Sequence, residues 1–271
     1  MKIRDLGALD GTVLLFGGPY SNLQATQALL EKARALRIPA RRVICTGDMV
    51  AYGADPAGVV AALRGFAGPV VAGNVERQLA EGAGDCGCGF TPGSTCDRLS
   101  AGWYPFADAR IGAEARAWMR DLPDVVTFRL AGRRVAVIHG GVSDISRFLW
   151  PVTDEAEFRH EISLLERDIG AVDEVVAGHC GVPFRRQLGR HWWTNAGVMS
   201  LPPNDGGAAT RFALMEGAEL RLERLAYDAA AARAAMEAAG LTQGYHAALT
   251  SGWWPSEEVL PGEMRRGSCD G

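Results

Sequence analysis

The sequence predicts an α/β protein. Three observations carry that reading: short apolar runs ending in Gly-flanked polar residues, apolar stripes at helical spacing, and alternation of the two along the chain. Thr12 to Phe16 is an apolar run stopped by Gly17-Gly18-Pro19, the pattern of a buried strand running into a tight loop. Asn22 then precedes Leu23, Ala25, Ala28, Leu29, Ala33 and Leu36, a helical stripe with Asn as its N-cap. Arg42 to Cys45 reads as a strand, Thr46 to Asp55 as a loop, and Pro56 to Phe66 as a helix opened by proline. Pro69 to Ala72 makes a third strand, with Gly73-Asn74-Val75-Glu76 directly after it. Repeated units of this kind imply a largely parallel sheet with helices on its faces and ligands at the carboxyl ends of the strands.

Glu81 to Thr95 is rich in Gly, Ser and Cys and reads as a loop, followed by a helix around Glu114 to Asp121. Val125 to Leu130 and Arg133 to Ile138 are β-rich pieces joined by Ala131-Gly132 as a hairpin turn. A helix over Asp154 to Asp168 and a strand over Glu174 to Ala177 come next. The rest to Ala226 reads as antiparallel strands turning at Asn195-Ala196-Gly197 and Asn204-Asp205-Gly206-Gly207. An Ala-rich helix from Tyr227 to Ala239 and a tail containing Trp253-Trp254-Pro255 close the chain. With no linker or internal repeat, the expectation is one domain over 1–226, with 227–271 as a helix and aromatic tail packed on it. The tail aromatics are expected to dock on the domain or on a second copy, giving a homo-oligomer.

The 271 residues are 48% hydrophobic and 22% charged, which excludes a disordered, collagen-like or coiled-coil chain. Against 32 acidic side chains stand 28 basic ones, for a net charge of -4, so no broad positive field gathers nucleic acid. The first residues lack a signal-peptide core and no apolar run approaches the ~20 residues of a membrane span, so a cytoplasmic location is expected, with no membrane partner. Six cysteines then read as free thiols or metal ligands rather than a disulfide framework.

Each strand from the second onward ends in a Gly-flanked polar residue: Asp48, Asn74, His139 and His179. A carboxylate, an amide oxygen and two imidazoles on neighbouring strand ends can converge on one cation such as Mn, Fe or Zn. Singly, each is more ordinarily a hydrogen-bonded strand cap; two histidines reaching one pocket are harder to explain that way. The order of these residues resembles the calcineurin-like metallophosphoesterases, in particular their small bacterial and archaeal phosphodiesterase branch. That family reads Asp-x-His-Gly-Asn-x-x-Ala, Gly-Asp-x-x-x-x-Gly, Gly-Asn-His-Asp/Glu, His-Gly and Gly-His-x-His after successive strands. Gly47 to Gly53 fits the second motif in full, Ser21 to Ala25 fits the end of the first, and Asn195-Ala196-Gly197 with the later Thr210 to Leu214 looks like the closing turn and strand. The resemblance spans about residues 12 to 226. It implies a four-layer α/β/β/α sandwich of two mixed sheets flanked by helices, two metals at the strand ends, and hydrolysis of phosphate esters by metal-activated water.

The departures are specific. Gly18 and Tyr20 stand where the family's first motif has Asp and His, Val75 where it has the His that assists the leaving group, and Gly181 where it has the last His. By the resemblance, three of four ligands of one metal are lost, while Asp48, Asn74, His139 and His179 keep the other whole. The resemblance therefore implies one metal ion at most, divalent or iron-type. A phenolate of Tyr20 can hold ferric iron; the alternative is a packed aromatic with a bonded hydroxyl. Cys86, Cys88 and Cys96, with Cys180 brought near by folding, could form a second metal or redox cluster; the alternative is a loop with free thiols or a disulfide. Cys45 reads as core and Cys269 as part of a frayed terminus, and His160, His191 and His246 lack a partner pattern. Three functions follow: a one-metal phosphatase or phosphodiesterase acting on a small phosphate mono- or diester; an inactive relative that binds a phosphorylated ligand or a protein; and a Cys-loop metal or redox sensor.

Overall fold

The computed structural model describes residues 1–267, so Cys269 lies outside the described residues. The first part of the chain runs β1 (Ile3–Ala8), β2 (Val13–Phe16), α1 (Leu23–Ala35), β3 (Val43–Cys45), α2 (Pro56–Phe66), α3 (Asn74–Glu81), α4 (Thr95–Asp108) and α5 (Ala113–Asp121). It continues through β4 (Val125–Leu130), β5 (Arg133–Val137), α6 (Glu155–Ile169), β6 (Glu174–Ala177), β7 (Phe184–Leu188) and β8 (His191–Asn195). It closes with β9 (Thr210–Glu216), β10 (Glu219–Leu225), α7 (Ala229–Ala238) and α8 (Tyr245–Ser251).

The strands form a six-stranded sheet, β1-β4-β5-β6-β8-β7, and a four-stranded sheet, β10-β9-β2-β3. Both are mixed rather than largely parallel: β4 and β5 are antiparallel across the hairpin, β5, β6 and β8 run parallel, and β2 lies parallel to β3 but antiparallel to β9. Ala131 and Gly132 turn that hairpin with φ of 50° and 80°, the left-handed pair such a turn demands.

Side-chain alternation explains the layers. Leu14 and Phe16 face a core under α1 and α2, whereas Val13 and Leu15 face the other sheet. Val135 and Val137 meet them there, while Ala136 points at Phe158, Ile162 and Leu165 of α6. A period of two thus feeds both faces of each sheet, and the result is helix, sheet, sheet, helix.

Asn22 caps α1 through the Ala25 amide at 3.0 Å, and Asp55 caps α2 through Gly58 at 2.8 Å. Pro69 to Ala72, expected as a strand, is joined to β3 only by a bridge between Cys45 and Val70. Beyond β10, α7 and α8 pack on each other, and Ala232, Met236, Tyr245 and Leu249 enter the core of the four-stranded half. Among the described residues no helix is long and apolar enough to cross a membrane.

Candidate metal centre

Asp48 follows β3 in the four-stranded sheet; His139 and His179 follow β5 and β6 in the six-stranded sheet; Asn74 opens α3. All four are buried or nearly so. The two sheets are tied directly above their seam, because His139 Nδ1 lies 2.7 Å from the Thr46 carbonyl. Gly47 makes that approach feasible: a Cβ there would sit 2.8 Å from His139 Nδ1 and 2.7 Å from the Gly73 nitrogen.

The donor set converges on one imidazole nitrogen. His139 Nε2 is 3.0 Å from Asn74 Oδ1, 3.1 Å from His179 Nδ1 and 3.3 Å from Asp48 Oδ2. Asn74 presents its oxygen here because its Nδ2 donates to the Cys86 carbonyl at 2.9 Å. A carbonyl only accepts, so His139 must carry a hydrogen on Nδ1 toward Thr46. In the neutral ring, the Nε2 lone pair then faces an amide oxygen and a carboxylate oxygen, an arrangement that is repulsive without positive charge between them. A proton or a metal cation relieves it. The ligating atoms of Asp48, His139 and His179 lie within 4.8 Å of one another. Atoms about 2.1 Å from one ion in adjacent octahedral positions stand about 3.0 Å apart, so the spacing suits a common cation.

Electrostatics match. Burial alone would lower the His139 pKa, but the Asp48 carboxylate and the Thr46 carbonyl outweigh it and raise it. Burial and then the neighbouring His139 depress His179 to about 4, leaving it unprotonated at neutral pH. For Asp48, burial opposes ionisation, but the two imidazoles prevail and lower its pKa.

Strain and buttressing concentrate here. Asp48 and His179 adopt φ of 54° and 60°, left-handed values that cost a non-glycine residue about 1 kcal/mol or more. Glu76, fully buried, holds the loop that carries Asp48: it accepts the amides of Asp48, Met49 and Gly73, each at 2.8 Å. Burial and the charge of Asp48 push its pKa to about 7. Glu161 does the same for the loop after His139, accepting the Val142 and Ser143 amides at 2.6 and 2.9 Å.

Residues 20–219 match the family model described as the calcineurin-like phosphoesterase superfamily domain. The chain belongs to that superfamily. No curated protein sequence matches it. Among solved structures, the hypothetical protein PH1004 from Pyrococcus horikoshii OT3 is similar with a TM-score of 0.73 and 16% identity, over 89% of this chain and 98% of that one. A metallophosphoesterase from Sphaerobacter thermophilus is similar with a TM-score of 0.69 and 18% identity, over 90% of this chain and all of that one. At such identities the likeness is one of fold, and the fold is the superfamily's two-sheet sandwich.

Gly18, Tyr20, Val75 and Gly181 sit among largely apolar groups. A Cβ on Gly18 would lie 2.9 Å from both the Tyr20 ring and Val198. A Cβ on Gly181 would stand 3.5 Å from the Trp254 indole, so a longer side chain there meets that ring. Val75 is buried. Tyr20 packs edge-on against Tyr52 at 5.0 Å, and burial, Tyr52 and Asp48 raise its pKa well above the ordinary value, so the protein favours the neutral phenol over the phenolate. Between these groups lies a cavity of about 50 Å³ that touches Asp48, His179, Tyr20, Tyr52, Phe148 and Trp254.

The cysteines do not assemble as one cluster. Cys86 and Cys88 are bonded to each other, and Cys96 and Cys180 are separate buried thiols. Among the described residues no group of three metal-holding side chains includes a cysteine. Asn195 Nδ2 donates to Cys180 Sγ at 3.1 Å, and burial pushes that thiol to about 12. Cys45 is core, as expected. His191 faces Glu166 at 3.1 Å. Sequence reasoning passed over Glu76, although it fills the acidic fourth place of the Gly-Asn-His-Asp/Glu motif, and over Phe148, whose ring packs at a tilt against His179 at 4.3 Å with no local motif to announce it.

Proposed function

We propose that the protein is a metal-dependent phosphoesterase that uses one cation, held by Asp48, Asn74, His139 and His179, to hydrolyse a small phosphate mono- or diester. The observation that carries this is the set of lone pairs meeting at His139 Nε2, which is stable only around positive charge. A bound cation would supply Lewis-acid polarisation of a phosphoryl oxygen and lower the pKa of water. The chain keeps His139 in the productive tautomer through Thr46 and keeps Asp48 in place through Glu76. His179, with its depressed pKa, stays neutral and so keeps one ring nitrogen free of a proton. Val75 cannot donate a proton to a leaving alkoxide, and general-acid help is worth about 100 to 10,000-fold. Esters of acidic alcohols, which leave without that help, are therefore the favoured substrates.

The test is turnover of 2,2,2-trifluoroethyl phosphate, a small ester of an acidic alcohol, with added Mn²⁺. The expected result is slow hydrolysis that falls at least about 100-fold in Asp48→Ala and His179→Ala. A wild-type protein that shows no turnover above the level of these variants overturns the hydrolase reading. A second reading, binding of a phosphorylated ligand without turnover, is favoured by Tyr20 and Gly181 at motif positions that hold ligands in the superfamily, with the Trp254 indole beside Gly181. It predicts phosphate binding with no hydrolysis.

A further inference from the structure

Trp254 is held through both its backbone and its ring. Its backbone amide donates to Asn204 Oδ1 at 2.7 Å and its indole Nε1 to the Pro202 carbonyl at 2.6 Å. Asn204 is itself locked by donating to Glu257 Oε1 at 2.7 Å. Farther along the same segment, Glu258 accepts the amide and hydroxyl of Thr95, at the start of α4. The segment is thus clipped at both ends, and its indole lines the cavity beside Gly181.

The cavity it lines has a volume of about 50 Å³, room for roughly four waters or one tetrahedral oxyanion. Immediately outside lies an open recess of about 420 Å³ that shares Phe90, Cys96, Phe148 and Val259 with the inner cavity. Among the described residues no Lys or Arg lines the inner cavity, so its walls beyond Asp48 and His179 select by size and shape rather than by charge.

We propose that Trp254 is the specificity-determining wall of the ligand pocket. With Trp254 in place the inner cavity accepts the phosphoryl group and a small substituent, and removing the indole admits a bulky aryl substituent alongside it. The proposal rests on the phosphate-ester reading above and adds to it the residue that sets substrate size.

The experiment measures equilibrium binding of inorganic phosphate and of phenyl phosphate to Mn²⁺-loaded protein by calorimetry. It compares wild type with Trp254→Ala and with Trp254→Leu, which keeps an apolar filler should the alanine variant not fold. The expected result is a ratio of phenyl phosphate to phosphate affinity that rises at least about tenfold in the variants. Phosphate binding with no gain for phenyl phosphate in either variant overturns the role of Trp254 alone. Wild type binding phenyl phosphate as tightly as phosphate overturns it as well. Binding of neither probe by any of the proteins overturns the phosphate-ester reading and this inference with it.

Discussion

His139 Nε2 stands 3.3 Å from Asp48 Oδ2 while Nδ1 of the same ring is committed to the Thr46 carbonyl at 2.7 Å. The pair joins the two sheets and creates a demand for positive charge at one point. A cation that binds the folded chain stabilises it by about 2.7 kcal/mol at a concentration of 100 times its Kd. Thermal melts should therefore rise on titration with Mn²⁺ in the wild type and stay flat in His139→Ala. A rise of equal size in both proteins places the ion elsewhere.

Glu76 accepts three backbone amides in a fully buried site. Glu76→Ala leaves those donors unpaired, at roughly 1 to 3 kcal/mol each, so a loss of at least about 3 kcal/mol is expected in denaturant melts. Glu76→Gln should cost less in stability but still weaken metal affinity about 10- to 100-fold, as displacement of an outer-shell partner does. Equal metal affinity in the glutamine variant would show that the Asp48 loop does not depend on this carboxylate.

The loop cysteines offer a sharp contrast. Asn74 is bonded to the backbone carbonyl of Cys86, and the nearest thiol-derived contact, Cys88 Sγ, is 3.6 Å from its Nδ2. Cys86→Ser combined with Cys88→Ser should keep metal content near that of the wild type, as read by elemental analysis. Loss of the metal in this double variant, with retention in Asp48→Ala, would transfer the site to the loop.

Glu166 tests the electrostatics far from the centre. Burial works against its charge, but the Val172 amide, His191 and Arg190 outweigh burial and lower its pKa below the ordinary 4.5. A carboxylate depressed in the folded state stabilises the fold above its unfolded pKa and loses that contribution as pH falls through the folded value. Glu166→Gln should therefore be less stable than wild type by about 1 kcal/mol at pH 7, discounted for partial exposure. The difference should shrink steadily once the pH drops below about 4.5. A gap that persists at pH 2 would assign the effect to packing instead of charge.

Much of the fold was legible because its strands are short buried runs and its helices carry explicit caps: Pro56–Phe66, Val125–Leu130 and Glu174–Ala177 lie where the residues predict them. What was missed has physical reasons. Ile3–Ala8 is an edge strand, exposed along nearly its whole length, so its sequence lacks an alternating apolar face. Thr95–Asp108 contains Gly102 and Pro105 and follows a glycine-rich loop, so its composition disguises a helix whose Cys96, Trp103 and Tyr104 are nevertheless buried. Asp48, Asn74, His139 and His179 stand out in sequence because glycine turns mark strand ends. The aromatic wall is assembled from Tyr20, Phe148 and Trp254, so far apart in the chain that only tertiary packing reveals it.

The most direct test is the metal content of the purified wild-type protein, measured by elemental mass spectrometry after purification without chelator. The account predicts one Mn, Fe or Zn ion per chain, lost in His139→Ala. Two ions per chain, or an ion retained when His139 is removed, would contradict it.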